Sequence, residues 1–108
     1  MKLALMQPYF FPYLGYYDLI NRTDRLIVFD LAQYRPQSWM NRNRVLQTDG
    51  GWCYITVPVE KSTSTRRIRD VRIVDSKASH RRIIGQIEHY RTRRAPFFER
   101  ARHLIDRC

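Results

Sequence analysis

The chain has 108 residues and a mass of 13.1 kDa, enough for one domain. Its 44% hydrophobic and 28% charged residues exclude a wholly disordered chain. No apolar run approaches the ~18 residues of a membrane span, and Leu3 to Met6 is too short for a signal-peptide core. The expected compartment is therefore the cytoplasm. The net charge is +10, which points to an anionic partner such as a phosphorylated substrate, a membrane surface or nucleic acid. Arginine supplies 17 of the 20 basic residues, a bias that GC-rich codons alone also produce. The charge is uneven: residues 1–65 hold seven Lys/Arg and five Asp/Glu, and residues 66–108 hold thirteen and five.

Lys2 to Met6 is a short apolar run that reads as a buried strand ending at Pro8, which has no N–H for a ladder. Tyr9 to Tyr17 packs six aromatics into nine residues and reads as a loop turning into a helix over Gly15 to Arg22. Arg25 to Asp30 is a second apolar run, again read as a buried strand. Strand, helix, strand in so short a span makes a βαβ unit with parallel strands. A polar segment follows, then a strand near Arg42 to Gln47. A turn at Asp49-Gly50 and a returning strand, Trp52 to Val59, make a β-hairpin. Lys61 to Arg67 reads as a polar loop and Ile68 to Val74 as a weaker strand. Ser79 to Arg94 is the clearest helix, with Ile83, Ile84, Ile87 and Tyr90 on one face. Ser76 or Ser79 is its expected cap. After Pro96 a second helix carries Phe97, Phe98, Leu104 and Ile105. The expected fold is therefore α/β: a short parallel βαβ start, a β-hairpin and two C-terminal helices, in a single domain over residues 1–108.

Three segments could carry chemistry. Gln7 to Tyr17 follows the first strand, where α/β sheets bind ligands beyond the carboxyl ends of their strands. Most of its aromatics read as a plug over the sheet, and Gln7 and Tyr16 stand out as polar groups facing a site. Asp30 closes the second parallel strand on the same side and, with Gln33 and Tyr34 behind it, is the candidate catalytic base or ammonium binder. Asn41, Arg42 and Asn43 offer amide and guanidinium groups; Arg42 is the candidate clamp for phosphate or carboxylate. Strand alternation puts Asn41 and Asn43 on one face and Arg42 and Arg44 on the other. Cys53 and Cys108 lack metal-ligand spacing, and His80, His89 and His103 read as helix-face residues. Hence no metal site is expected, and the spacing names no cofactor.

These residues also carry a resemblance. MQPYFFPYLGY at Met6 to Tyr16, D-x-x-QY at Asp30 to Tyr34, W-x-NRNR at Trp39 to Arg44, PV-x-K at Pro58 to Lys61 and APFF at Ala95 to Phe98 resemble the WbqC-like proteins. That family is bacterial and occurs among genes for O-antigen, other surface-polysaccharide and specialised-metabolite biosynthesis. The resemblance implies a transferase-type step on a sugar or an activated acyl or amino group, with a nucleotide-sugar or similar anionic small molecule as substrate. Family members carry paired acidic residues before Gln-Tyr. Leu31 follows Asp30 here, which speaks against a two-carboxylate or metal role. Members are also about twice as long, so the chain resembles the family's N-terminal half, and a second chain would supply the other. A fainter likeness to the nucleotidylyltransferase loop lacks that loop's histidines and bears on fold alone. The alternatives are a basic nucleic-acid-binding module and an inactive truncated fragment. No helix-turn-helix, RNP or zinc-finger pattern is present, which argues against nucleic acid.

Overall fold

The computed structural model describes residues 1–61 and 65–108. Residues 62–64 of the expected polar loop lie outside the described residues. The fold is α/β, as its sequence pattern predicts. Strand β1 (Leu3–Met6), helix α1 (Leu14–Asn21) and strand β2 (Arg25–Val28) form the βαβ unit. The strands pair in parallel, Leu3 opposite Arg25 and Met6 opposite Val28. Their start is pinned by Asp24, whose carboxylate accepts from the Lys2 N–H at 2.6 Å while its own N–H donates to the Lys2 carbonyl at 2.9 Å.

Neither strand is fully buried, contrary to expectation. Ala4 is buried, but Leu3, Leu5, Ile27 and Val28 are exposed. The reason is topological: this sheet has only two strands, and parallel sheets ordinarily need cover on both faces.

The hairpin follows as β3 (Arg42–Leu46) and β4 (Trp52–Thr56), antiparallel, with Leu46 opposite Trp52. Gly50 takes φ +94° in the turn, a conformation glycine adopts at little cost. Strand β4 stops at Thr56, short of the predicted Val59, because Pro58 offers no N–H. Val59 makes only an isolated bridge to Ile73. The expected strand over Ile68 to Val74 is a 3₁₀ turn, Ile68–Asp70, followed by extended chain. Its alternation of apolar and charged residues mimics a strand, but its pairing is broken: Ile68 and Arg69 donate to Ala32 and Asp30, and Ile73 makes an isolated bridge to Val59.

Helix α2 (Ser76–Ile87) is capped by Asp75, not by Ser76 or Ser79. The Asp75 carboxylate accepts the Ala78 N–H at 2.9 Å, satisfying one of the unpaired donors of the first turn. Ser79 instead turns its hydroxyl back to the Asp75 carbonyl at 2.9 Å. A one-residue interruption at Glu88, which keeps helical dihedrals, separates α2 from α3 (His89–Thr92). Arg94 ends this helical run in the left-handed region, φ 53°, and the Ala95 N–H closes back on the Tyr90 carbonyl at 2.9 Å. Helix α4 (Phe98–Asp106) follows Pro96.

Helix α2 packs on β4, where Ile55 is fully buried (0% exposed) together with Ile83 and Ile87. The helices also hold the hairpin by polar contacts. The Tyr90 hydroxyl accepts the Leu46 N–H at 2.9 Å, the Gln86 amide donates to the Tyr54 carbonyl at 3.0 Å, and Arg93 donates to the Thr48 carbonyl at 2.6 Å. No helix among the described residues is long and apolar enough to cross a membrane.

Candidate functional site

Chain hydrogen bonds lay the segment after β2 against the arginine-rich segment after residue 65. The Asp30 carbonyl accepts the Arg69 N–H at 3.1 Å, the Ala32 carbonyl accepts the Ile68 N–H at 2.9 Å, and the Tyr34 N–H donates to the Arg66 carbonyl at 2.8 Å. Gln33 bridges to Arg67. Asp30 is half-buried and Tyr34 fully buried. Among the described residues no side chain hydrogen-bonds the Asp30 carboxylate. Beside this segment opens a cleft of about 690 Å³ lined by Glu60, Arg66, Arg69, Asp70 and Arg72. Arg66 pairs with Glu60 at 2.9 Å and Arg69 reaches Asp70 at 3.9 Å, whereas Arg72 has no carboxylate partner among the described residues. Motif reading missed these arginines. Their only signal was the density of basic residues between 66 and 72.

Arg42 sits at the start of β3, its guanidinium 4.3 Å above the Tyr54 ring. It also acts on Tyr34. Burial pushes the Tyr34 phenol up from its ordinary pKa, and the nearby Arg42 charge pulls the other way. Two buried polar atoms here, Arg42 Nε and Asn41 Oδ1, have no hydrogen-bond partner among the described residues. The Asn41 amide nitrogen is used: it donates to the Val57 carbonyl at 2.9 Å. Tyr34 and Arg42 thus share one polar corner, joined through the chain to Asp30 and Gln33, whereas the Asn41 amide is turned to the Val57 carbonyl.

Gln7, Tyr16 and Asn43 make contacts within the fold. Tyr16 is buried, and its hydroxyl donates to the Gln7 carbonyl at 3.0 Å, tying the end of β1 to α1. Burial and the neighbouring Tyr9 raise its pKa. Asn43 donates to the carbonyls of Phe10 (3.2 Å) and Phe11 (2.6 Å), and its oxygen accepts the Arg44 N–H at 2.7 Å. Its amide therefore staples the aromatic loop to β3 and has no donor left for a ligand. Phe11 accepts φ 47° there. Asn43 and Arg42 point to opposite faces of the hairpin, as alternation requires.

The histidines spread over three helices. His80 approaches Asp106 at 3.4 Å and His89 stacks on Tyr90 at 4.4 Å. Cys53 is half-buried under the Gln86 amide. Among the described residues no three metal-ligating side chains converge.

Comparison with known proteins agrees with the motifs. The uncharacterized protein Rv1507c of Mycobacterium tuberculosis is 41% identical over 73 residues, 67% of this chain and 31% of that protein. The chain thus spans about a third of the length of the curated relative it matches. No solved structure matches it. The profile of the WbqC-like protein family covers residues 7–108, and the chain belongs to that family.

Proposed function

We propose that this chain is part of a transferase-type enzyme of bacterial surface-polysaccharide or specialised-metabolite biosynthesis. It binds an anionic metabolite, such as a nucleotide-linked sugar, in the cytoplasm. The observation that carries this reading is the unpartnered buried Nε of Arg42, whose charge acts on Tyr34. Buried polar atoms are ordinarily satisfied, and an idle guanidinium N–H suits an anionic oxygen. In this reading Arg42 clamps phosphate or carboxylate, Asn41 accepts from a hydroxyl, and Gln33 and Tyr34 shape the wall. Asp30 takes the proton of the attacking hydroxyl or amine. The cleft of Arg66, Arg69 and Arg72 adds a positive field that draws anions inward. Tyr16 and Asn43 act as positioning residues, and Gln7 anchors Tyr16 through its carbonyl.

In the same reading residues 1–108 form one domain corresponding to the N-terminal half of a WbqC-like domain, and further polypeptide packs against it. The bare face at Leu3, Leu5 and Ile27 supports this, as does an apolar groove of about 480 Å³ between Phe10, Tyr17, Ile83 and Leu104. The test is calorimetric titration of a nucleoside-diphosphate sugar into wild type, Asp30→Asn and Arg42→Ala. Arg42→Ala should weaken binding about tenfold or more, the scale of a hydrogen bond to a charged group. Unchanged binding in Arg42→Ala, with unchanged activity of Asp30→Asn in the completed protein, would overturn the proposal.

A further inference from the structure

The outer face of the hairpin holds a second feature, distinct from the Asp30 segment. Arg44 projects between the chain's two tryptophans, its guanidinium carbon 5.5 Å from the Trp39 ring and 5.1 Å from the Trp52 ring. Trp52 in turn meets Tyr54 edge-to-face at 5.2 Å. None of the Arg44 guanidinium N–H groups has a hydrogen-bond or carboxylate partner among the described residues. Beside it lies a recess of about 250 Å³ lined by Tyr9, Pro12, Tyr13, Trp39, Asn43 and Arg44. Its rings Trp39 and Tyr13 are open to solvent, 41% and 63% exposed, and Trp52 on the other side of Arg44 is 52% exposed.

The chemistry of this wall is selective. The Asn43 amide is consumed by the aromatic loop and Arg44's own backbone. A flat ring needs only an aromatic face, and an adjacent anion would take the idle guanidinium. The volume admits one ring-sized group. We propose that Tyr13, Trp39 and Arg44 form a subsite for a nucleoside phosphate, the base against the aromatic rings and the phosphate on Arg44. This deepens the functional reading above and rests on it for its biological meaning, because it names where the nucleotide of a nucleotide-linked sugar would sit.

Both tryptophans flank Arg44, so intrinsic fluorescence reports on this site. The 108-residue chain is titrated with UMP, with uridine (which has the same absorbance and serves as the optical control) and with inorganic phosphate. UMP should give a saturable change, with uridine and phosphate each at least about tenfold weaker. Arg44→Gln should weaken UMP about tenfold. Tyr13→Ala, which removes a largely exposed ring and should unfold like wild type, should weaken it as well. The inference falls if UMP gives no saturable change, if phosphate alone binds as well as UMP, or if Arg44→Gln and Tyr13→Ala both bind like wild type. The two proposals separate cleanly. Loss of nucleoside-diphosphate sugar binding in Arg42→Ala with no UMP effect of Arg44→Gln would keep the functional reading and remove the subsite. UMP binding that needs Arg44, with a sugar nucleotide indifferent to Arg42, would do the reverse.

Discussion

Replacing Asn43 with alanine should unlatch the aromatic loop from the hairpin. The side chain makes three hydrogen bonds: two from its amide nitrogen to Phe10 and Phe11 and one from the Arg44 N–H to its oxygen. A net contribution of about 1 kcal/mol per bond, discounted because the site is only half-buried and water replaces part of the loss, gives about 2 kcal/mol. For a domain near this size that lowers Tm by roughly 10 °C. Differential scanning fluorimetry and urea unfolding both read it. Asn43→Asp sharpens the test. Its carboxylate still accepts the Arg44 N–H but places negative charge against two carbonyl oxygens, so it should be at least as destabilising as alanine. A shift under about 2 °C for both variants, with ligand binding lost, would refute the stapling role and return Asn43 to the binding surface.

Ile55→Ala removes the most buried side chain and should cost about 2–5 kcal/mol, leaving the chain largely unfolded at 37 °C by circular dichroism (a loss comparable to the whole stability of a small domain). Tyr16 and Tyr34 both have raised pKa values, chiefly from burial. In a spectrophotometric titration they should ionise after the other tyrosines. The sign follows from linkage: above the ordinary tyrosine range the unfolded chain has lost these protons while the folded chain still holds them, so stability falls as pH rises from about 10. Tyr16→Phe should remove part of that alkaline loss.

The elements with strong local punctuation were legible from the sequence. Pro8 ends one apolar run, Asp49-Gly50 marks the hairpin turn, and the spacing of Ile83, Ile87 and Tyr90 marks the long helix. Features set by distant partners were not. The Asp75 cap of α2 is local, a bond to the Ala78 N–H, but Ser76 and Ser79 offered competing cap residues of the same kind. Ile68 to Val74 has the period of a strand but meets other segments only at isolated points. Exposure of Leu3 and Leu5 depends on how many strands the sheet has, and an apolar run cannot encode that number. At the site, Arg42 was legible as a guanidinium with a clear strand face. Its closeness to Tyr34 arises only when the 30–34 segment folds back on residues 66–69. Asn43 stood out in the motif, but its partners in the aromatic loop, 32 and 33 residues away, were not legible there.

One titration separates a metabolite site from a merely basic surface: calorimetry of the 108-residue chain with a nucleoside-diphosphate sugar, set against random-sequence single-stranded DNA over a range of salt. A pocket built on Asn41 and Arg42 predicts saturable binding of the sugar nucleotide that Arg42→Ala abolishes, and DNA binding that is weak and fades steeply as salt rises. Tight DNA binding with no heat from the sugar nucleotide would contradict it and assign the positive charge to nucleic acid instead.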